Sequence, residues 1–152
     1  MADSMLLFAP HLNSFRRFRR GTHAPLAPCW GYENRTVSLR VPTDQPAATR
    51  IEHRVAGADA HPHLAVTAIL AGMLAGIEQQ LEAPPPITGN AYDQLPLSLP
   101  RYWPDALDRF RDSAFIRDNF GPEFQRVMTL MKEQEMDDFD RQVTPLEYDA
   151  CL

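Results

Sequence analysis

The chain has two cysteines, one lysine and no long uninterrupted apolar run. Cys29 and Cys151 are too far apart in sequence to form a zinc spacing, and a single pair makes no disulfide framework. A reducing compartment follows from that, and the cytoplasm is the expected location. The opening "MADSMLLFAP" has no basic n-region, and its apolar stretch is far too short for a signal peptide or a membrane span. The apolar segment 64–81 contains Gly72, Gly76, Glu78, Gln79 and Gln80, which reads as a core helix and not a span, so no membrane partner is expected. With 44% hydrophobic and 23% charged residues, the composition excludes a disordered chain. A length of 152 residues suffices for one domain with its own core.

The scarcity of lysine has a counterpart. Fourteen of the fifteen basic residues are Arg, and Lys132 is the exception. The net charge of −5 hides an uneven split: residues 1–60 hold eight Arg against five acids, residues 61–152 seven basic against fifteen acidic. Arginine grips carboxylate or phosphate with two parallel hydrogen bonds, so the first part favours an anionic ligand. A coding preference for Arg over Lys explains the same count equally well.

Element signals are uneven. Residues 5–8 read as the tail of a helix, and residues 9–32, with their prolines and glycines, as loop. Thr36–Val41 and Arg50–Ala56 are short β-rich runs expected to pair antiparallel. A helix follows from Pro62, with Leu64, Ile69, Leu70, Met73, Leu74, Ile77 and Leu81 at helical spacing. Residues 83–104 form an extended proline-rich crossing. Helices are expected over 105–111, 113–119 and 122–141, with Met128, Leu130, Met131 and Phe139 as core, and a final turn over "TPLEYDACL". The fold class is α+β: an antiparallel strand pair followed by several helices. A sheet this small leaves open edges, so the chain reads as the last third of something larger.

On the second strand run, Arg50, Glu52 and Arg54 alternate and share one face, while Ile51, His53 and Val55 share the other. A surface charge ladder is the bland reading of such a pattern. The chemical reading is a metal-ligating carboxylate flanked by arginines that neutralise phosphoryl oxygens. Company favours the second reading, because Arg35, Arg40 and the loop "NSFRRFRRG" lie close by with few acids to pair them.

Three motifs carry a resemblance. "APHLNSFRRFRRGTHAP" matches N-S-Y/F-x-R-x-x-x-G-x-x-A-P, and "NRTVSLRVP" matches N-R-S/T-x-x-I/L-R-I/V-P. "RIEHRVAGADAHPHL" matches R-I/V-E-x-R-x-x-D/S-x-A/D-A-N-P-Y-L. In this order they resemble the C-terminal third of the glutamine synthetase family. "WGYENR" and "RIEHRVAGADA" are most similar to its γ-glutamylpolyamine (γ-glutamylputrescine) synthetase branch.

The resemblance implies that residues 1–152 are the C-terminal portion of a catalytic domain, with active-site loop and strands in 1–60 and a helical part in 61–152. An N-terminal domain and the first part of the catalytic domain would be absent. It implies ATP with Mg2+ or Mn2+ as cofactors, glutamate and an amine as partners, and a homo-oligomer as the complete enzyme. The family activates the γ-carboxylate of glutamate as γ-glutamyl phosphate, which an amine then attacks. Glu52 would be a ligand of the metal that holds the ATP phosphates. Arg54 would contact the γ-carboxylate and the moving phosphoryl group. Arg35 and Arg40 would approach the nucleotide phosphates, with Arg35 and Arg17 among the substrate-binding residues, Arg17 on the glutamate carboxylate.

The departures matter as much. Ammonia-using members carry a flap glutamate where this chain has His23, so a polyamine is favoured over ammonia. A protonated alkylamine, with a pKa near that of Lys at about 10.4, must lose a proton before attack, and a neutral imidazole can accept it. Ala47 stands where bacterial ammonia-using members place a nucleotide-contacting lysine. His61 and His63 replace the Asn and Tyr of N-P-Y and read as packing or capping residues. Tyr92 reads as an ordinary loop tyrosine, its adenylylation left open. A nucleic-acid patch at residues 16–20 is disfavoured by the acidic balance. A fragment with one ligating carboxylate is expected to be inactive in isolation. The alternative is a non-catalytic relic or docking module that associates with full-length synthetase subunits.

Overall fold

The apolar run near the N-terminus lies at the centre of the core. The computed structural model describes residues 1–43 and 45–151. Asp44, in the connection between the two expected strands, and Leu152, at the end of the expected final turn, lie outside the described residues. A 3-10 turn (Ala2–Ser4) leads into helix α1 (Met5–Phe8), all four residues of which are buried. Met5, Leu6, Leu7 and Phe8 are each at most 2% exposed. Helix α4 (Trp103–Asp112) packs against them, and α5 (Ala114–Phe120) and α6 (Pro122–Asp140) complete the same core.

These helices follow from local sequence. In α4, Trp103, Ala106, Leu107 and Phe110 fall on one face and are all buried. Asp105 sits in its first turn and Arg109 and Arg111 in its last, each complementing the helix dipole. The Ser113 hydroxyl caps α5 by accepting from the Ile116 amide at 3.2 Å. Gly121, at φ +87, separates α5 from α6 in a conformation that other residues adopt only with strain. Buried Gln125 donates to the carbonyls of Phe110, Arg111 and Ser113, tying α6 to the end of α4.

The sheet has three strands, β1 (Trp30–Tyr32), β2 (Leu39–Val41) and β3 (Glu52–His53), with β2 in the middle. The expected antiparallel pair is present as β2 and β3, in the register Leu39↔His53 and Arg40↔Glu52. β1, within the segment expected to be loop, pairs parallel with β2, so the sheet is mixed. That segment also contains a 3-10 helix, Leu12–Arg17. Both expected strands are shorter than their β-rich runs. The Asn34 side chain accepts from the Thr36 amide and hydroxyl and turns the chain there, so β2 starts only at Leu39. Arg50 folds back onto the Ala48 carbonyl at 3.1 Å, and Ile51 is 66% exposed while Val55 is 0% exposed, so these two do not share a buried face.

Helix α2 (Pro62–Glu78) starts where expected, with proline in its first turn. It is not a core helix within this chain. Only Ala65 and Ala68 are buried, whereas Leu70, Met73, Leu74, Ile77 and Leu81 are more than half exposed. Of the four residues expected as core in α6, Met128 alone is buried; Leu130 and Met131 are exposed, and Phe139 is half exposed with its ring packed edge-on against buried Trp103 at 6.0 Å. The proline-rich crossing contains a short helix, α3 (Ala91–Gln94), and the final segment is helical over α7 (Pro145–Cys151). No helix of the described residues is long and apolar enough to cross a membrane.

Phe110→Ala in the 152-residue chain is expected to cost about 3–5 kcal/mol, because the ring leaves a cavity among α4, α6 and α1. Ile77→Gln, on the open face of α2, is expected to change stability by less than about 0.5 kcal/mol. Urea unfolding midpoints compare the two directly.

Candidate active site

Strand register sets the site. Arg40 on β2 faces Glu52 on β3, and its Nη1 lies 3.3 Å from Glu52 Oε2. Arg54 Nη1 lies 3.5 Å from the same oxygen. The second amino group of Arg40, Nη2, donates to Glu33 Oε2 at 2.5 Å, and Glu33 Oε1 accepts the Thr43 amide at 2.5 Å. The Thr43 amide and the Arg40 guanidinium hold the Glu33 carboxyl below the usual carboxylate range, and Glu33 and Glu52 in turn push Arg40 up. The result is a row of alternating charge: Glu33, Arg40, Glu52, Arg54.

Arg54 continues the row into the flap. Its Nη2 donates to the His23 carbonyl at 3.0 Å, and its amide donates to Ser38. His23 has φ +58, a left-handed conformation uncommon for a non-glycine residue, and its side chain is exposed. Arg17 reaches in from the Leu12–Arg17 turn, with Nη2 on the Val55 carbonyl and its guanidinium 4.4 Å above the Phe18 ring. Burial lowers the Arg17 pKa; Asp59 opposes that shift and Arg54 adds to it. Arg17, Arg40 and Arg54 each keep a buried Nε with no hydrogen-bond partner among the described residues. Arg35 is exposed on the turn after Asn34 and takes part in none of these ion pairs. Asn34 beside it anchors that turn to the Ile87 and Gly89 carbonyls at 3.1 and 2.8 Å.

Three of the six expected site residues, Arg40, Glu52 and Arg54, therefore meet directly. His23 joins them by its backbone carbonyl on Arg54, Arg17 lies beside Arg54 with its own hydrogen bond on the Val55 carbonyl, and Arg35 stands apart. Arg50 is not part of the row. Sequence reasoning passed over Glu33, whose only signal is its place one residue beyond β1, beside Arg40 once the parallel pairing is known. It also passed over Asp59. The polar cleft of about 510 Å³ beside Arg17 is lined by Ser14, Arg16, Arg19, Thr22, Gly57 and Asp59, among others.

A divalent cation takes six or more oxygen ligands, several of them carboxylates or water. Among the described residues, no group of three or more His, Cys, Asp or Glu side chains is placed to hold one. The shortest contact of each Glu52 ion pair falls on Oε2. By its donor chemistry Glu52 could supply one ligand of such a set, not the whole of it.

Other expectations need correction. Tyr92 is not an ordinary loop tyrosine: it is 8% exposed, and its hydroxyl donates to the Ala24 carbonyl at 2.8 Å, bracing the flap. Phe18, in the middle of the basic run, is 2% exposed and cannot stack on a base, while Arg20 is tied to Asp93 and the Tyr92 carbonyl. His61 makes no side-chain cap on α2; it and His63 are exposed, with rings 5.4 Å apart.

With this geometry in view, comparison with known proteins is decisive. The profile of the family described as "Glutamine synthetase, catalytic domain" matches residues 1–151. The chain belongs to the glutamine synthetase catalytic-domain family. It is 40% identical over 152 residues to gamma-glutamylputrescine synthetase PuuA of Escherichia coli strain K12, covering all of this chain and 32% of that protein. It is 41% identical over 147 residues to gamma-glutamylethanolamide synthetase GlnA4 of Streptomyces coelicolor, covering 97% of this chain and 32% of that protein. The ligand-free structure of apo GmaS superposes with a TM-score of 0.81 at 26% identity, over 96% of this chain and 34% of that one. This glutamine synthetase-family chain thus spans about a third of the length of the relatives it matches.

Behind the charged row, on the apolar side of the sheet, His53 packs on Phe8 with ring centroids 4.5 Å apart and a buried, unpartnered Nδ1. Burial, with the Met1 amino group and Arg17 adding to it, lowers its pKa from 6.5 to about 4. The unfolded chain then binds more protons than the folded one between those values, so the stability His53 protects is complete above pH 6.5 and lost as pH falls toward 4. Going from pH 7 to pH 5 is expected to cost about 2 kcal/mol through this residue, and His53→Phe to remove that part of the slope, read from urea unfolding at each pH.

Proposed function

We propose that this chain supplies part of the active site of an ATP-dependent glutamate–amine ligase, which forms a γ-glutamyl amide through γ-glutamyl phosphate. The observation that carries the reading is the interleaving of Arg40 and Arg54 with Glu52, with Arg17 beside Arg54, three guanidinium groups that each retain a buried, unpartnered Nε among the described residues. Phosphoryl transfer spreads negative charge over several oxygens, and fixed cationic donors stabilise it without reorganising. A bound Mg2+ or Mn2+ would add positive charge at the ATP phosphates, with Glu52 among its ligands. Arg54 meets the γ-carboxylate and the phosphoryl group moving onto it. Arg40 and Arg35 approach the nucleotide phosphates, and Arg17 holds the glutamate carboxylate. His23, on the flap braced by Arg54 and Tyr92, accepts the proton of the attacking amine.

Two relatives are named for putrescine and ethanolamide products, and His23 stands in the flap, so the favoured acceptor is a polyamine or another alkylamine and not ammonia. The remaining ligands would come from polypeptide equivalent to the other two-thirds of the relatives. This chain would be the C-terminal portion of the catalytic domain, inactive in isolation, and the complete enzyme a homo-oligomer. A second reading rests on the open apolar face of α2, that of a non-catalytic module that docks onto full-length subunits. Co-elution with a complete synthetase and altered activity on mixing would favour it.

In a complete synthetase carrying this segment, Glu52→Gln and Arg54→Ala are each expected to lower the ligase rate by about 10²–10³. Loss of both charges with the rate intact would refute the reading. His23→Ala is expected to slow amide formation with an amine more than it slows γ-glutamyl phosphate formation, read as phosphate release without amine. Equal loss in both steps would remove His23 from proton transfer.

A further inference from the structure

Arg17 and Arg54 carry like charges into one site, and each acts unfavourably on the other. Glu52 compensates Arg54 directly, at 3.5 Å. No carboxylate among the described residues forms an ion pair with Arg17, whose Nη2 ends on a backbone carbonyl. The acid that acts on it is Asp59, across the polar cleft.

Asp59 is held from two sides. The Ser14 hydroxyl donates to Asp59 Oδ2 at 2.5 Å. Ser14 is itself fixed at the start of the turn that carries Arg17: its hydroxyl accepts the His11 amide at 3.0 Å, and its own amide donates to the His11 carbonyl at 2.9 Å. On the other side lies Gly57, whose amide donates to the Phe8 carbonyl at 2.9 Å and whose carbonyl accepts the Ala60 amide at 3.2 Å. A Cβ built on Gly57 would collide with Asp59 Oδ1 and come within 3.7 Å of Arg17 Nε. The carboxylate and the guanidinium thus flank the same glycine, in a gap that no side chain fills.

We propose that Asp59 is a positioning residue for the glutamate carboxylate site: fixed by Ser14 and given room by Gly57, it holds the Arg17 guanidinium in the cleft beside Arg54. This rests on the reading of Arg17 as the group that binds that carboxylate. Asp59 keeps two adjacent guanidinium groups compatible before the substrate's own charge arrives. Acting through Arg17, its loss is expected to change glutamate binding and not the chemical step.

The test uses a complete synthetase carrying this segment. Asp59→Asn keeps the shape and an acceptor for Ser14 and removes only the charge. It is expected to raise the KM for glutamate about tenfold, with the KM for ATP and kcat each changed less than about twofold. Ser14→Ala, which frees the carboxylate to rotate, is expected to raise the glutamate KM in the same direction by a smaller factor. An unchanged glutamate KM in Asp59→Asn, where Arg17→Ala raises it, would overturn the proposal. If Arg17→Ala itself leaves that KM unchanged, the carboxylate-binding reading of Arg17 fails separately. Hydrogen–deuterium exchange over residues 11–22 then decides the positioning: faster exchange in Asp59→Asn upholds it, and unchanged exchange ends it.

Discussion

The ion pair between Arg40 and Glu52 across β2 and β3 is the contact on which the rest of the site depends. Two guanidinium groups a few ångströms apart would repel by several kcal/mol in a partly buried setting. They are compatible here because Glu52 stands between Arg40 and Arg54, and Glu33 takes the far side of Arg40. Three strands of two or three residues each are enough to impose this order. A shift of one residue in the β2–β3 register would put His53 or Ile51 opposite Arg40 and leave the arginines without a shared acid.

The sheet separates two chemistries. Arg40 and Glu52 face the charged side, whereas Leu39, Ile51 and His53 line a large apolar groove of about 890 Å³ with α2 on the other. His53 is adjacent in sequence to Glu52 yet stays neutral, because strand alternation turns it onto Phe8, where burial, with the positive charges of Met1 and Arg17 adding to it, disfavours its protonated form. The helical part is packed differently. Trp103, Phe110 and Ile116 are enclosed by the N-terminal helix and α6, and Lys132, with its ammonium group 5.9 Å from the Trp103 ring, is held by both oxygens of Glu135. This well-filled half anchors residues 5–8, and they in turn support the site through the Phe8 carbonyl on Gly57.

The flap illustrates how loops are held when no strand carries them. His23 keeps a left-handed backbone while Arg54 grips its carbonyl and the Tyr92 hydroxyl grips the next one. Such a conformation persists where surrounding contacts over-determine it, and it is commonly found where a loop takes part in binding. The bracing tyrosine comes from α3, which Asn90 caps by accepting the Tyr92 amide at 3.1 Å. A distant helix of four residues thus sets the position of a candidate proton acceptor.

The spans of α2, α4, α5 and α6, the proline starts of α2 and α6, and the α+β class followed from the sequence, because apolar periodicity and caps are local signals, whereas the short helices α3 and α7 did not. The motifs also singled out Glu52, Arg40 and Arg54, whose side chains meet in the folded chain. The sequence could not show that Glu33 completes the charged row, since that needs β1 to lie parallel to β2. Nor could it show that Asp59 faces Arg17, that Tyr92 braces the flap, or that α2 leaves most of its apolar face open. Each of these depends on which surfaces meet after the chain has folded. Residue type sets what a side chain can do; long-range packing decides what it does it to, because hydrogen bonds and charge pairs act over a few ångströms between residues far apart in sequence.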